Sequence, residues 1–398
     1  MTEEKLRLGG MALRNGLLVH GPTHWAAAVR DDEGNVVVGS GRKPRLRAAD
    51  GIPGVRGVAR LGEAFAVIPL VKRGLPEVRL PFQDPSVLAV AAGASIGGTL
   101  LRRRLRGTPG EVAAGLISDG VLAAMPRRGP ASTKFSSGNV VIVGGSRGLT
   151  GAPSMSALAA IRAGAGYVTV AAPASLELAF AVRLLEAMFA PLPEDGGMLA
   201  PDALEPALAA MRRAGAVVLG PGLGRTPGTR ELARALAQRI EQPLVIDADG
   251  LNALAGRLEE LRDRRAPTLL TPHAGELGRL LELDSGAIER ARLRHARAAA
   301  ERAQAIVVLK GDDTMVADPS GRVAISPGGA PALATAGTGD VLAGVAGAML
   351  AKGMPAEHAA CAAVHVHLRA GRLAAAPHGP DAVIASDVIA ALPAALSA

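Results

Sequence analysis

The sequence is poor in cysteine and in aromatic residues, and each shortage excludes a class of protein. Its single cysteine, Cys361, excludes an internal disulfide framework and a metal site built from several cysteines. Aromatic residues make up 2% of the 398 positions, whereas hydrophobic residues make up 49%. A core of Ala, Val, Leu and Ile is typical of helices packed closely on a parallel sheet. The length predicts two or three domains.

The N-terminus lacks the apolar segment of a secretion signal, since it opens with the charged stretch MTEEKLRLGG. Together with the lone cysteine, this predicts a cytoplasmic protein. Residues 85–101 carry no charge and are followed by three arginines. This run is shorter than the roughly 20 apolar residues that a spanning helix needs, and it contains glycines. We expect a buried helix there, and membrane contact through residues 85–104 is the less favoured alternative.

The net charge of +8 does not indicate a nucleic-acid partner, because the excess is confined to one segment. Residues 1–130 contain 19 Lys or Arg and 11 Asp or Glu, whereas residues 131–398 contain 25 of each. The larger part of the chain is therefore electrically balanced. We predict that the protein binds no nucleic acid.

Three regions differ in composition and pattern. Residues 1–108 are basic, glycine-rich and irregular, and strand-like runs on either side of residues 31–34 predict a hairpin there. Residues 109–133 read as a linker. In residues 134–398, short apolar runs alternate with Ala-rich helical stretches. This α/β pattern predicts right-handed crossovers and a mostly parallel sheet flanked by helices, preceded by a smaller β-containing segment.

The larger domain contains apolar runs that predict strands and two longer stretches that predict helices. The strands are predicted at 140–143, 167–171, 216–219, 244–246, 268–270 and 305–309, and the helices at 154–163 and 341–350. Most of the runs end in Gly, Asp, Pro or Lys. Because ligands of parallel sheets bind beyond the carboxyl ends of the strands, these polar ends predict a ligand site.

The strongest chemical motif is Ala336-Gly337-Thr338-Gly339-Asp340, directly ahead of a predicted helix. Glycines at a helix start let the backbone approach an anion, and the free N–H groups and the helix dipole bind phosphate. Asp340 is well placed there to accept a proton from an attacking hydroxyl. An N-cap Asp behind tight-turn glycines is an equally good interpretation of this motif alone.

Further glycine-rich or polar turns follow the other predicted strands. They lie at 144–148 with Gly151-Ala152, at 220–224, at 247–252, at 270–276 and at 309–314. The first of them matches neither the Walker pattern nor the dinucleotide fingerprint. A single Asp, His or Glu in such a turn is more often a cap or a solvated charge. Several such turns at the ends of parallel strands face one crevice, so we expect them to form one site.

His365 and His367 look like a metal-binding pair. At positions i and i+2 of a helical stretch, however, they point to different faces, so we expect no ligation. One ring should be packed and the other solvated.

Taken in order, the motifs resemble those of the NAD(P)H-hydrate dehydratase family, a branch of the ribokinase-like superfamily. The resemblance runs from about Lys134 to Leu396 and implies a ribokinase-like fold. It rests on Gly-Gly-Ser at 144–146, Arg-Ala-Gly-Ala-Gly at 162–166, Gly-Pro-Gly-Leu-Gly at 220–224, Asp-Ala-Asp-Gly-Leu-Asn at 247–252, Thr-Pro-His at 271–273 with Glu276, Leu-Lys-Gly at 309–311 with Thr314, and Gly-Thr-Gly-Asp at 337–340. The ordered set is more specific than any one motif.

The resemblance implies repair of hydrated nicotinamide cofactors. In this family ADP or ATP phosphorylates the 6-hydroxyl of the (6S) hydrate, which is (6S)-NADHX or (6S)-NADPHX. Loss of phosphate then gives NADH or NADPH, and ADP is left as AMP. The resemblance also implies Mg²⁺ as a cofactor, and the fold analogy alone suggests a homotetramer.

Matched position by position, the resemblance assigns roles to individual residues. Asp340 would contact the substrate and act as the base, and Glu276 would hold Mg²⁺ through water. The residues implied to contact the hydrated nucleotide are Ala152, Gly222 and His273. Those implied to contact ADP are Lys310, Gly311, Asp312, Asp313, Thr314, Gly337, Thr338 and Gly339, with Gly339 forming the anion hole.

Two alternatives stay open. The larger domain could be a kinase of the same fold that acts on a vitamin precursor such as hydroxymethylpyrimidine or thiazole. Residues 1–108 do not resemble the epimerase domain that many relatives carry. At 9–16 and 20–22 they resemble a bacterial domain of unknown function. The basic flank after residue 101 makes a membrane-surface or interaction module the alternative for this segment.

Overall fold

The computed structural model describes residues 9–13, 15–20, 24–31, 33–42, 67, 70–73, 75–76, 115, 117–377 and 379–397. The chain divides into two compact units, Met1–Leu101 and Arg102–Ala398. The helix expected within residues 85–104, and with it the alternative of membrane contact, lies outside the described residues. Among the helices that are described, none has both the length and the apolar character needed to cross a bilayer. The predicted domain boundaries at residues 108 and 134 stay predictions.

Four strands of the first unit are described, and they form an antiparallel sheet in sequence order. They are β1 (Gly9–Leu13), β2 (Gly16–His20), β3 (His24–Arg30) and β4 (Val36–Arg42). The predicted hairpin joins β3 to β4 and is confirmed. Its turn is shaped by Asp31, whose Oδ1 accepts the backbone N–H groups of Glu33 and Asn35 at 3.0 and 2.8 Å. Such local side-chain bonds favour turns over continued strand.

The second unit contains one large sheet and one small pair of strands. The strands of the large sheet are β5 Asn139–Val143, β6 Tyr167–Pro173, β7 Met188–Leu192, β10 Ala216–Leu219, β11 Leu244–Ile246, β12 Thr268–Leu270, β13 Ile306–Leu309, β14 Met315–Ala317 and β15 Val323–Ile325, and those of the pair are β8 Glu194–Asp195 and β9 Met198–Leu199. The nine strands of the large sheet lie in the spatial order β15-β14-β13-β12-β11-β10-β5-β6-β7. The seven from β13 to β7 in this order are parallel to one another, whereas β14 is antiparallel to both β13 and β15.

Helices cover both faces of this sheet. Those described are α1 Gly120–Ala123, α2 Gly151–Arg162, α3 Glu177–Arg183, α4 Leu204–Met211, α5 Pro227–Arg239, α6 Asp249–Ala253, α7 Ala274–Leu281, α8 Ser285–Arg290, α9 Arg292–Ala303, α10 Thr338–Ala351, α11 Ala356–Ala375 and α12 Ala385–Leu396. Along β5, Val140 and Ile142 pack with α2, α10, α11 and α12, whereas Val141 and Val143 pack with α4, α5, α7 and α9. Both faces are therefore buried, which is why the strands read as continuous apolar runs.

The predicted α/β architecture is confirmed. All six predicted strands exist, as β5, β6, β10, β11, β12 and β13, and the two predicted helices are α2 and α10. The sequence did not predict β7, β14 or β15. Strand β7 is largely half-buried or exposed and contains Pro191, which suits its place at the sheet edge. Strands β14 and β15 have three residues each, too few to show a pattern.

Part of the predicted linker packs into the second unit. The Ile117 N–H donates to Ile325 O, and the Ile325 N–H donates to Gly115 O, both at 3.0 Å. Gly115 and Ile117 therefore hydrogen-bond to the outer edge of β15. Ile117 and the apolar side chains of the α1 segment are buried in the same core as α10 and α11. These residues contribute to the stability of the second unit.

Helices α2 and α10 approach each other until their backbones touch. A Cβ atom at Gly344 would lie 2.1 Å from Ser156 O, so only glycine fits at this position. At the same contact, Ser156 Oγ donates to the main-chain oxygen of Asp340 at 2.9 Å. The start of α10 is thus fixed against α2.

This contact generates a stability prediction. Gly344→Ala is expected to lower the free energy of unfolding by about 1–3 kcal/mol, because the added methyl group forces the two helices apart and outweighs the helix propensity gained. Urea unfolding measures the change. Gly129→Ala, at a position with open space around it, is the matched control and should have little effect. Equal stability of Gly344→Ala and the wild type would contradict the described contact.

Candidate active site

The turns that carry the predicted motifs meet at one edge of the sheet. The last residues of β5, β10, β11 and β12 pair in register with one another, and β13 continues the parallel series. The turns that follow these strands begin at Gly144, Gly220, Asp247, Thr271 and Lys310. The strand order therefore brings these turns to one edge of the sheet, and their forming one ligand site stays a prediction.

The acidic turn after β11 has a strained backbone. Ala248 has φ 50° and ψ −118°, a conformation that costs about 1–3 kcal/mol for a residue with a side chain. The turn that begins at Gly220 lies directly against this acidic turn, since a Cβ atom at Gly220 would lie 1.9 Å from Asp247 O. Asp247 is left buried at this turn, while Asp249 starts α6 and accepts the Gly224 N–H at 3.0 Å. Strain at such a turn is typical of functional sites.

Lys310 is the cationic centre of the site. Its Nζ lies 3.1 Å from Asp247 Oδ1 and 3.6 Å from Glu276 Oε2. Thr271 Oγ1 donates to the same Asp247 oxygen at 2.7 Å. Burial alone would lower the pKa of Lys310, but the carboxylates of Asp247, Glu276 and Asp340 outweigh it, so the pKa is raised. The ammonium is therefore charged and held in place.

Asp340 lies in the first turn of α10, beside this cluster. Burial and the negative charges of Asp247, Glu276 and Asp249 together raise the pKa of Asp340 to about 7, against the opposing effect of Lys310. A carboxyl group that titrates near neutral pH can both accept and return a proton, as a general base must.

His273 and Glu276 form a reciprocal cap at the start of α7. His273 Nδ1 accepts the Gly275 N–H at 3.0 Å, and Glu276 Oε2 accepts the His273 N–H at 2.9 Å. The Glu276 side chain is 8% exposed, whereas that of His273 is 55% exposed. The cap therefore holds the carboxylate next to Lys310 and leaves the imidazole free to meet a ligand.

A cavity of about 340 Å³ lies beside Lys310 and the start of α10. Of the residues predicted to contact ADP, six line it, and these are Lys310, Gly311, Asp312, Thr314, Thr338 and Gly339. Asp313 instead places Oδ1 3.1 Å from Arg292 Nε. Gly337 packs against Met155, whose Sδ would lie 2.5 Å from a Cβ at that position. The remaining wall is largely apolar and contains Leu333, Ala334, Leu342, Val364 and Leu368.

Gly222 and Ala152 lie on neighbouring segments. A Cβ at Gly222 would meet Leu149 O at 2.4 Å and Pro153 Cδ at 3.2 Å, so this glycine packs against the turn that leads into α2. Ala152 is in the first turn of α2, between these two residues in the chain. Ser146 Oγ donates to Gly222 O at 2.9 Å and ties the turns together.

The expectation that one of the two histidines of α11 is solvated was wrong, because both are buried. His365 Nε2 lies 2.9 Å from Asp119 Oδ1, a residue far away in the sequence that the helix pattern does not reveal. His367 lines the cavity. Burial lowers the pKa of His367 to about 4, so its ring is neutral at neutral pH. Among the described residues, no group of three or more His, Cys, Asp or Glu is arranged to hold a metal.

Sequence reasoning assigned no individual role to Asp247 or Thr271. Both lie inside motifs that the sequence singled out, and both follow the last residue of a buried strand. Their position directly after a predicted strand was the signal that could have identified them as site residues. The tie between Asp247 and Lys310 spans 63 positions, and only the strand order makes these residues neighbours.

The mostly parallel sheet, with glycine-rich turns and a helix start at its carboxyl edge, defines a protein of the ribokinase-like fold. The model of the NAD(P)H-hydrate dehydratase family matches residues 140–394. The chain belongs to this family.

Individual relatives agree with this assignment. The bifunctional NAD(P)H-hydrate repair enzyme Nnr of Salinibacter ruber is 47% identical over 277 residues, which are 69% of this chain and 51% of that protein. The ADP-dependent (S)-NAD(P)H-hydrate dehydratase of Xanthomonas campestris pv. campestris is 36% identical over 278 residues, 68% of this chain and 92% of that protein. The chain spans about half the length of the bifunctional relatives that it matches.

A solved structure is also similar. The ADP/ATP-dependent NAD(P)H-hydrate dehydratase of Bacillus subtilis, co-crystallized with ATP and Mg²⁺, superposes with a TM-score of 0.59 at 28% sequence identity. The alignment covers 69% of this chain and 94% of that chain. The similarity therefore lies within the larger part of the chain.

The buried pair of Asp247 and Lys310 generates a second prediction. Asp247→Asn is expected to lower the free energy of unfolding by about 1–3 kcal/mol, because it removes one partner of a buried charge pair while Glu276 still faces the ammonium. Urea unfolding measures the loss. Asp202→Asn, at an exposed carboxylate, is the control and should cost little. A loss no larger than that of the control would contradict a structural role for the pair.

Proposed function

We propose that the chain dehydrates (6S)-NADHX and (6S)-NADPHX to NADH and NADPH at the expense of ADP, which becomes AMP and phosphate. The observation that carries this proposal is Asp340 in the first turn of α10, beside Lys310 and with its pKa raised to about 7, directly after Gly339, which lines the cavity with five other predicted ADP contacts. The family to which the chain belongs indicates the reaction. The cavity offers a site for the nucleotide, and the carboxyl group of Asp340 offers a general base.

The proposed reaction balances as a phosphoryl transfer followed by an elimination. The 6-hydroxyl oxygen of the hydrate attacks the β-phosphorus of ADP, and the bond from that phosphorus to AMP breaks. The hydroxyl proton goes to the carboxylate of Asp340. Phosphate then leaves C6 with the bonding electron pair, water accepts the proton lost from C5, and the ring double bond between C5 and C6 re-forms. The protein mainly positions the reactants and offsets charge, as in other phosphoryl transfers.

The cavity supports the proposed site for ADP. Its apolar wall suits a base, and its polar end contains Lys310 together with the backbone of Gly339 at the helix start. We propose that Gly311, Asp312 and Thr314 contact the nucleotide as well, and that Asp313 and Gly337 act through the loops they shape. Both ADP and ATP present a transferable terminal phosphoryl group, and the relatives include an ADP-dependent and an ADP/ATP-dependent protein.

We propose that the substrate contacts gather near the start of α2, which packs against the start of α10. Gly222 and Ala152 adjoin at the start of α2, and Ser156 of the same helix binds the main chain of Asp340. The exposed ring of His273 reaches the same edge of the sheet. A hydrated nicotinamide ring between these residues would present its hydroxyl to Asp340.

The charge of the cluster suits Mg²⁺ bound mainly through water rather than by a shell of protein ligands. The carboxylates of Asp247, Glu276 and Asp340 act on the ammonium of Lys310 and leave excess negative charge there, whereas Asp249 is paired with Arg225 at 2.7 Å. Mg²⁺ prefers oxygen ligands and usually keeps several waters. We propose that Glu276 holds the ion through water. When bound, the ion would neutralise charge on the transferring phosphoryl group.

The location and assembly of the protein are also proposals. We propose that it acts in the cytoplasm, where the reduced cofactors are used, and as a homotetramer by analogy of fold alone. We propose no epimerase activity for residues 1–108. An interaction module is the function we propose for that segment.

The main test is recovery of the reduced cofactor. Full-length protein, Mg²⁺ and ADP are incubated with hydrated NADH, and the near-ultraviolet absorbance of reduced nicotinamide is followed. We expect absorbance to return only when a nucleotide is present, and ATP is tried in place of ADP. Absence of recovery with protein that binds ADP would contradict the dehydratase, and phosphorylation of a thiazole or pyrimidine alcohol in its place would identify the alternative kinase.

A further prediction concerns the base. Asp340→Asn is expected to abolish turnover and leave ADP affinity near that of the wild type, since the amide keeps the shape but accepts no proton. For the wild type, kcat/KM should fall as the pH drops through about 7, because the carboxyl group is protonated below its raised pKa. Asp202→Asn is the control. Turnover retained by Asp340→Asn would show that the residue only caps the helix.

A further inference from the structure

A guanidinium group lies against the loop that carries Lys310. Arg292 opens α9, and its side chain is 12% exposed. Its Nη2 lies 3.4 Å from Leu309 O, 3.3 Å from Lys310 O and 3.3 Å from Asp313 O. Its Nε lies 3.1 Å from Asp313 Oδ1. One side chain therefore contacts both the beginning and the end of the loop at 309–313.

The middle of the same loop also touches this group. A Cβ atom at Gly311 would lie 2.3 Å from Nη2 and 2.8 Å from Cζ of Arg292. The main chain of Gly311 thus lies directly on the guanidinium, and a side chain at this position would push the guanidinium away. The glycine and the arginine form a matched pair.

This loop sets the shape of the proposed nucleotide site. Lys310, Gly311 and Asp312 line the cavity. The loop is also tied to the opposite wall, since Asp312 Oδ1 accepts the Gly329 N–H at 3.1 Å and Ser326 Oγ accepts the Thr314 N–H at 3.1 Å. A shift of the loop would therefore move the ammonium and both walls together.

We infer that Arg292 is a positioning residue for the nucleotide, which holds the loop at 309–313 in its binding conformation through three main-chain carbonyl groups and one carboxylate. The inference rests on the proposed function, because ADP is the ligand that this loop would bind. The role depends on the planar fork of the guanidinium. A lysine would keep the charge but offers a single ammonium, which does not match several acceptors in one plane.

The test measures ADP binding directly, by calorimetry on the full-length protein with Mg²⁺. Arg292→Lys and Arg292→Ala are expected to weaken ADP binding roughly tenfold, because small misplacements of binding groups cost about that much or more. The KM for the hydrated cofactor should stay unchanged. Arg297→Ala, at an exposed arginine of the same helix, is the matched control and should bind ADP as the wild type does. Wild-type affinity in Arg292→Lys would show that charge alone matters and would overturn the inference.

Gly311→Ala provides an independent arm. In the wild-type background it should weaken ADP binding by a similar factor, because its methyl group displaces the guanidinium. Combined with Arg292→Ala it should add little, since the displaced group is already absent. Equal cost in both backgrounds would mean that the methyl group acts on ADP itself and would overturn the pairing. If the wild type binds no ADP, the proposed function fails and the inference with it. Tight binding by every variant overturns the inference alone.

Discussion

The site depends on the burial of the Lys310 ammonium beside Asp247 and Glu276, because this positive charge offsets the negative charge of the buried carboxylates. Asp247 is 2% exposed at its side chain and would be costly to bury without this partner. The strained turn at Ala248 places the carboxylate of Asp247 beside the ammonium, and the cap between His273 and Glu276 places that of Glu276 there. Burial, together with the negative charges of Asp247, Glu276 and Asp249, outweighs this one ammonium and raises the pKa of Asp340 to about 7.

The rigidity of the site comes from helix packing and strand pairing rather than from the charged groups. Helices α2 and α10 meet at Gly344 and Ser156, so the residues proposed for the substrate and those proposed for the nucleotide are joined through one close-packed contact. The parallel register of the strands sets the spacing of the turns along the edge. The helices and strands fix the positions of the turns, and hydrogen bonds of side chains such as Arg292 and Asp312 hold the loops that line the cavity.

The sequence was sufficient for six of the seven parallel strands, because strands buried on both faces are continuous apolar runs. It was also sufficient for the site motifs, since most follow such a run and the motif at 336–340 begins a helix. It was insufficient for β14 and β15, which are too short to have a period, and for the burial of His365, which depends on Asp119 from a distant part of the chain. The role of Arg292 could not be predicted from the sequence for the same reason. Nothing local distinguishes it from the other arginines of its helix, and its partners are the main-chain oxygens of another loop.

The hydrogen bonds of Gly115 and Ile117 to β15 have a consequence for how the protein is made. The bond between Asp119 and His365 joins groups 246 positions apart, so the early segment leaves the ribosome long before its partners exist. Contacts of such long range form slowly, and the apolar side chains of that segment have to wait for them. Completion of this core is therefore a late event of synthesis. A nascent chain that stalls before α11 is made would expose Ile117 and its neighbours to water and to chaperones.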